Sequence, residues 1–104
     1  MRLLIVGGGG HARVCAEIAA TLGSYEEIVF VDEGYARGTL LGGIEVQYHD
    51  EDLEQLDILG LEVLVGIGQT TTADLRVRVH DLLAARGFAF ATLVSPQAYL
   101  SPKA

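Results

Sequence analysis

The stretch LLIVGGGGHA at residues 3–12 decides the fold of this chain. Its four apolar residues are typical of a parallel strand that is covered on both faces, and the first glycine ends that strand. Residues 11–22 have a helical composition, and Val14, Ile18 and Leu22 recur at the spacing of one helix face. The segment therefore predicts a strand, a glycine-rich loop and a helix in succession.

The alternation of strands and helices continues along the chain. Further buried strands are predicted at residues 28–31, 63–67 and 88–94. A second helix is predicted at residues 73–85, and its apolar stripe consists of Leu75, Val79, Leu82 and Leu83. The pattern predicts an α/β fold, a small Rossmann-like three-layer sandwich with a mostly parallel sheet. In a sheet of order 3-2-1-4-5, with a short strand at residues 44–46 as the third, the first strand (residues 3–6) and the fourth (residues 63–67) lie side by side at the topological switch point.

The segment between residues 33 and 60 has a weaker pattern. Residues 44–46 alternate like a short strand, residues 50–56 are compatible with a short helix, and Gly42 and Gly43 interrupt the segment. Half of the acidic residues lie between positions 45 and 62, which predicts a solvated outer face on a connecting segment. The segment lacks the alternating oxygen ligands of a calcium loop, so no metal site is expected there.

Composition limits the classes of function. The chain has 104 residues, of which 50% are hydrophobic, so it is expected to fold as a globular domain. Its 14 acidic and 7 basic residues give a net charge of -7, which argues against nucleic acid and anionic membranes as partners. The sequence contains no apolar run of membrane-spanning length, no signal-peptide pattern and a single cysteine. A cytoplasmic location is therefore expected.

The glycine run is the strongest candidate for chemistry. Residues 7–12 satisfy the pattern G-x-G-x-x-A between a strand and a helix, which brings phosphate close to the backbone at a helix N-terminus. Asp32 follows the second strand, where its carboxylate can accept a hydrogen bond from a ribose hydroxyl. Taken literally, this is a dinucleotide-binding fingerprint. The alternative is a tight turn between strand and helix that binds no ligand.

Two other candidates accompany the glycines. His11, in the first turn of the helix, can donate to a phosphate or sugar oxygen, or it can be an exposed helix residue without a ligand. Gly68 and Gln69 follow the fourth predicted strand and would flank the same crevice, where Gln69 either bonds a base or sugar or lies in a polar surface turn. Cys15 is interpreted as a packing residue.

The C-terminal residues carry a period of six. Residues 94–99, VSPQAY, align with residues 100–104, LSPKA, so that serine, proline and alanine coincide. A hexapeptide period is typical of a β-helix. We therefore expect a Rossmann-like domain at residues 1–93 and the truncated start of a β-helix at residues 94–104. The alternative is a coincidental repeat in a proline-containing linker.

Taken together, these segments resemble the start of bacterial sugar O-acyltransferases. The similar stretches are residues 3–14, 30–33, 65–68, 86–88 and 94–98. The family includes the sialic acid O-acetyltransferase type and N-acetyltransferases that act on UDP-linked 4-amino-sugars. The resemblance implies a small α/β domain that holds a nucleotide-sugar. It also implies a following left-handed β-helix that supplies the catalytic histidine, the acetyl-CoA site and the trimer contacts.

Position by position, the resemblance assigns the ligand contacts. The implied substrate-binding residues are Gly9, Gly10, His11, Asp32, Glu33, Gly68 and Gln69. The glycines and His11 would contact the diphosphate and sugar, the acidic pair would hold the uridine end, and Gly68 with Gln69 would line the crevice. The resemblance implies no catalytic residue and no metal ligand in this chain.

The function that follows is a nucleotide-sugar-binding domain of an acetyl-CoA-dependent sugar O- or N-acetyltransferase in surface polysaccharide or glycan biosynthesis. The full-length protein is expected to be a homotrimer, and this chain alone an inactive monomer. The alternatives are a stand-alone NAD-binding Rossmann module and a non-catalytic regulatory domain.

Overall fold

The computed structural model describes residues 1–66 and 73–91. In chain order the elements are β1 (Arg2–Val6), α1 (Gly10–Leu22), β2 (Glu27–Val31), β3 (Thr39–Leu41), β4 (Ile44–Tyr48), a 3₁₀ helix (Asp50–Glu54), β5 (Leu61–Val65), α2 (Ala73–Ala85) and β6 (Ala89–Phe90). In this part of the chain, neither α-helix is long and apolar enough to cross a bilayer. Residues 94–104, where a β-helix is expected to begin, lie outside the described residues.

The strands form one sheet in the order β3-β4-β2-β1-β5-β6. All neighbouring pairs are parallel except β3 with β4. The five parallel strands therefore have the predicted order 3-2-1-4-5, and the predicted α/β Rossmann-like fold is confirmed. Val6 pairs with Val31 on one side and with Val65 on the other, so the carboxyl ends of the three central strands meet at one edge.

Alternate residues of β1 supply the cores on the two faces of the sheet. Leu3 and Ile5 pack with the face that α1 covers, and Leu4 and Val6 pack with the face that contains Leu83 of α2. All four side chains are buried, as the unbroken apolar run predicts for a central parallel strand. The two cores and the sheet between them make the three-layer sandwich.

The predicted apolar face of α1 is wrong. Val14 is 52% exposed and Leu22 is 42% exposed, whereas three small residues, Ala12, Ala16 and Ala19, are buried against the sheet. The physical reason is the short distance between helix and sheet: a Cβ atom on Gly66, which directly follows β5, would lie 2.9 Å from Cβ of Ala12. Methyl groups fit into this space and larger side chains do not.

The stripe predicted for α2 is correct only in part. Leu83 is buried and Val79 packs against the same core, but Leu82 is 62% exposed. Positions 79 and 83 lie almost one above the other on a helix, and each single step turns by about 100°, which carries Leu82 away from the sheet. The side chain of Leu75 lies outside the described residues.

The segment of weak pattern contains a hairpin that the sequence interpretation missed. Gly42 and Gly43 connect β3 to β4, and both have a positive φ, of 59° and 86°. Two such residues are typical of a type I′ turn between antiparallel strands. The helix expected at residues 50–56 is the 3₁₀ helix Asp50–Glu54.

Two strand boundaries also differ from expectation. The strand predicted at residues 63–67 begins two residues earlier, because β5 pairs with the whole of β1 from Arg2↔Leu61 onward. The strand predicted at residues 88–94 is described only as Ala89–Phe90, and residues from 92 onward lie outside the described part. The acidic residues between positions 45 and 62 do not form one outer face, since Glu62 lies on β5 and accepts a hydrogen bond from the Tyr25 hydroxyl at 2.6 Å.

Candidate functional site

The first two residues of the glycine run are required by the fold. Gly7 continues from β1 and donates to the Val31 carbonyl at 2.8 Å with a φ of 113°, a backbone conformation that favours glycine. Gly8 is buried, and a Cβ atom there would lie 3.0 Å from Cδ1 of Leu41 and 3.1 Å from Cε2 of Tyr35. Backbone strain at one position and crowding at the next account for both glycines.

The next two glycines are not explained in this way. Gly9 and Gly10 are exposed, and neither has a positive φ. Among residues 1–66 and 73–91, a Cβ atom on either residue would have no neighbour within 4 Å. Glycine is a favoured N-cap residue at position 9, but packing in the described part of the fold requires glycine at neither position, so the space in front of both is available to a ligand.

The N-terminus of α1 opens into this space. The first backbone bond of the helix runs from the Arg13 N–H to the Gly9 carbonyl at 3.0 Å, so the N–H groups of residues 10–12 precede the intrahelical ladder. The first turn has no acidic residue and Gly9 offers no capping side chain. Free N–H groups and the partial positive charge of the helix end together favour an anion.

Two side chains of the first helical turns are placed near this end. His11 is exposed, and its Nε2 lies 3.7 Å from Sγ of Cys15. Cys15 is half-buried and packs against the core between α1 and the sheet. Burial raises the pKa of the Cys15 thiol, and its packing role is confirmed. Arg13 donates from Nε to the Gly8 carbonyl at 3.2 Å, which brings a cation to the glycine loop. Sequence reasoning missed Arg13, although it lies within one helical turn of the run.

The predicted ribose acceptor is engaged by the protein's own backbone. Asp32 accepts from the Gly8 N–H through Oδ2 and from the Gly34 N–H through Oδ1, both at 2.8 Å. Asp32 therefore bridges the end of β2 and the glycine loop.

A cleft of about 320 Å³ lies at the carboxyl edge of the sheet, beside the loop. It is lined by Val6, Gly7, Val31, Asp32, Glu33, Asp50 and Val79. Partial burial and a hydrogen bond with Glu33, together with the charges of Glu33 and Asp32, raise the pKa of Asp50 to about 6. The cleft thus concentrates negative charge and hydrogen-bond acceptors, in contrast to the helix end.

Asp50 is a cleft residue that the sequence interpretation missed. It comes two residues after β4, which pairs in parallel with β2 and so ends at the same edge of the sheet. A prediction that residues 44–48 pair with residues 28–31 would have found it. Asp50 also lines a larger, mainly apolar cleft of about 410 Å³ between the 3₁₀ helix and α2.

The crevice on the side of β5 is only partly described. Gly66 donates to the Val6 carbonyl at 2.9 Å, and a Cβ atom on it would lie 2.8 Å from Cγ2 of Ile5. Gly66 is therefore a packing glycine between sheet and helix. Gly68 and Gln69, predicted to line the crevice, lie outside the described residues.

A hydrogen-bond network stabilises the residues that pack against the glycine loop. His49 is half-buried, and its Nε2 lies 2.6 Å from the Tyr35 carbonyl oxygen. The His49 N–H donates to Asp52, which also pairs with Arg37 at 2.9 Å. The Tyr35 side chain packs against Gly8, so this network stabilises one side of the glycine loop.

Comparison of the sequence with known families gives a match over most of the chain. The profile of the PglD N-terminal domain matches residues 2–83. The chain belongs to the PglD N-terminal domain family. The resemblance to the sugar acyltransferases is thereby confirmed. A comparison with curated proteins gave no match.

Solved structures of an acetyltransferase domain share the fold. The acetyltransferase domain of PglB from Neisseria gonorrhoeae FA1090, solved alone and in complex with acetyl coenzyme A, is 34% identical to this chain with a TM-score of 0.80. Each alignment covers 91% of this chain and 44% of that chain. This chain therefore spans less than half the length of the solved domain it matches.

Proposed function

We propose that this chain is the nucleotide-sugar-binding domain of an acetyl-CoA-dependent sugar O- or N-acetyltransferase that works in surface polysaccharide or glycan biosynthesis. The observation that carries the proposal is the open space that the described residues leave in front of Gly9 and Gly10, where packing does not require glycine. Glycines at these positions leave room for a group that approaches the backbone of the helix end.

The electrostatics of the site favour a ligand that joins an anionic group to a neutral group with hydrogen-bond donors. The helix N-terminus, with Arg13 and His11 beside it, suits a diphosphate. The neighbouring cleft contains the carboxylates of Asp32, Glu33 and Asp50, which repel phosphate and accept hydrogen bonds from hydroxyl and amide donors. A nucleotide-sugar has this division, because its diphosphate lies between a sugar and a nucleoside that both carry donors.

The glycine fingerprint alone is as compatible with NAD as with a nucleotide-sugar. The number of strands in the sheet is a second criterion that bears on the choice between them. A dinucleotide-binding sheet is built from two mononucleotide-binding halves. The described residues contain five parallel strands, of which β6 has two residues and its continuation is not described. This architecture supports a ligand with a single nucleotide.

We assign acetyl transfer, acetyl-CoA binding and the trimer contacts to a β-helix domain that residues 94–104 would begin, after a Rossmann-like domain at residues 1–93. Support comes from the length of the solved acetyltransferase domain, more than half of which extends beyond the match to this chain, and from its complex with acetyl coenzyme A. The 104-residue chain alone is expected to be a monomer that transfers no acetyl group above background.

Isothermal titration calorimetry tests the proposal directly. We expect heat of binding with a UDP-amino-sugar or with CMP-sialic acid, and none with NAD at the same concentrations. Binding of NAD alone would identify a dinucleotide module and overturn the proposal. Binding of none of these ligands would favour a regulatory domain with an empty crevice.

A further inference from the structure

Asp32 is held between two elements of the site by bonds to backbone groups. Its own N–H donates to the Tyr48 carbonyl at 3.0 Å, which fixes the residue against the end of β4. Its two carboxylate oxygens accept from Gly8 on one side and Gly34 on the other. The side chain therefore joins the glycine loop to the turn that follows β2.

We propose that Asp32 is a positioning residue, which acts on the ligand through the glycine loop and does not contact the ribose. The inference rests on the proposed function, because it concerns how the same site is held ready for a nucleotide-sugar. It differs from the role implied by the sequence, in which Asp32 accepts a bond from the nucleoside.

The packing of Gly8 explains how Asp32 would control the ligand-binding glycines. Gly8 is buried between Tyr35, Leu41 and the Asp32 carboxylate, so its position is set by these three side chains. Gly9 and Gly10 are exposed, and an added Cβ atom there would not meet any of the described residues within 4 Å. The direction in which their N–H groups point is consequently fixed on one side by Gly8 and on the other by α1.

The variant Asp32→Asn replaces one of the two carboxylate oxygens by an NH₂ group. Asparagine has one acceptor oxygen, so whichever way its amide turns, either the Gly8 N–H or the Gly34 N–H faces an NH₂ donor. We expect faster amide hydrogen exchange at Gly8, whose bond loses its charged acceptor in either orientation, and a loss of affinity for UDP of about tenfold or more.

A ligand that lacks a ribose hydroxyl distinguishes a positioning role of Asp32 from a direct contact between Asp32 and that hydroxyl. If Asp32 acts through the loop, Asp32→Asn weakens binding of UDP and of 2′-deoxy-UDP or 3′-deoxy-UDP by the same factor. If Asp32 contacts a ribose hydroxyl, the penalty of the variant disappears for the ligand without that hydroxyl. The second result would overturn the inference and leave the proposed function standing.

The wild-type protein offers a test that needs no substitution. Positioning predicts that the Gly8 amide remains protected from exchange when UDP is bound, since Asp32 keeps its bond to the loop. A contact role requires an Asp32 oxygen to turn to the ligand, and increased exchange at Gly8 in the complex would overturn the inference. Failure of wild type to bind any of the three uridine nucleotides would overturn the positioning role of Asp32 towards UDP, whereas the titrations with a UDP-amino-sugar and CMP-sialic acid decide the proposed function.

Asp57→Asn is the matched control. Asp57 accepts from the Leu59 N–H at 3.0 Å, two residues on, as Asp32 does from Gly34, but it is exposed in the loop before β5. We expect this variant to leave UDP affinity and Gly8 exchange unchanged. An equal loss in both variants would show a general effect of removing an aspartate and would overturn the positioning role.

Discussion

The two halves of the run Gly7–Gly10 consist of the same residue and are glycine for different reasons. Gly7 has a φ of 113°, and a methyl group on Gly8 would crowd three side chains at 3.0–3.2 Å, whereas Gly9 and Gly10 have ordinary backbone angles and open space among the described residues. The inner pair serves the fold, and the outer pair leaves a surface that the fold does not use. The comparison teaches that a glycine motif points to a ligand only through those positions that backbone and packing leave unexplained.

The largest loss of stability is expected at Gly66, a third glycine that packing in the fold requires. Gly66→Ala places a methyl group 2.8 Å from Ile5 and 3.0 Å from Cα of Ala12, and the backbone atom cannot give way cheaply. We expect a loss of about 3 kcal/mol in the free energy of unfolding, at the upper end of overpacking effects. Urea denaturation measures it, and a change below about 1 kcal/mol would show that helix and sheet separate easily.

The inner and outer glycines are compared directly by Gly8→Ala and Gly10→Ala. The first substitution crowds Leu41, Tyr35 and Asp32, and we expect it to cost about 2 kcal/mol. The second adds a methyl group in open space at a helical position, where alanine is preferred by up to about 1 kcal/mol. Thermal unfolding should therefore move in opposite directions, and equal destabilisation would remove the distinction between the two halves.

A smaller effect is expected on binding from His11→Ala. The exposed imidazole has Cys15 as its described side-chain contact, so the melting temperature of the free domain should not change. Loss of a donor to a charged group lowers nucleotide-sugar affinity by about tenfold to a hundredfold. The control is Val14→Ala, also exposed on α1. Unchanged affinity in His11→Ala would exclude a ligand contact, and a large shift in melting temperature would show a structural role.

The smallest effect concerns pH and the acidic cleft. The pKa of Asp50 is raised to about 6 in the folded state, mainly by burial and by Glu33, so the ionised form is disfavoured there. The folded protein binds the proton more tightly than the unfolded chain, and this contribution makes stability rise as pH falls from above 6 towards about 4.

Asp50→Asn removes this dependence. Near pH 7.5 the variant should be more stable than wild type by about 1 kcal/mol, since solvent screening limits the effect of a partly exposed group. Below about pH 4 Asp50 is protonated in both states, so the gain should end there. Denaturation at several pH values measures the difference, and a gain that persists at low pH would contradict the assignment.

The strands of the sheet could be predicted because their signal is local. The apolar runs at residues 3–6 and 28–31 mark buried parallel strands, and the limits of α2, residues 73–85, agree with the prediction. The hairpin turn at Gly42–Gly43 also has a local signal, two adjacent glycines between short strands, which the sequence interpretation overlooked. The order 3-2-1-4-5 of the parallel strands was predicted from the Rossmann-like fold, which the alternation of elements and the glycine loop together indicate.

Features that depend on distant residues could not be predicted in the same way. The buried face of α1 is set by Gly66, which lies more than fifty positions after Ala12 in the sequence. The bond from Gly8 to Asp32 and the place of Asp50 in the cleft depend on how strands pair, which residue spacing does not reveal. The division of the glycine run requires backbone angles and neighbouring atoms.

The most direct test of the ligand role of the outer glycines is calorimetric titration of a UDP-amino-sugar into wild type and Gly9→Val, with the stability of both proteins measured alongside. The valine side chain enters the space proposed for the diphosphate. Valine is a poor N-cap residue, so the substitution is expected to cost about 1 kcal/mol of stability, which leaves the domain folded. We predict that Gly9→Val remains folded and loses measurable binding. A folded Gly9→Val that binds the nucleotide-sugar as tightly as wild type would contradict this role.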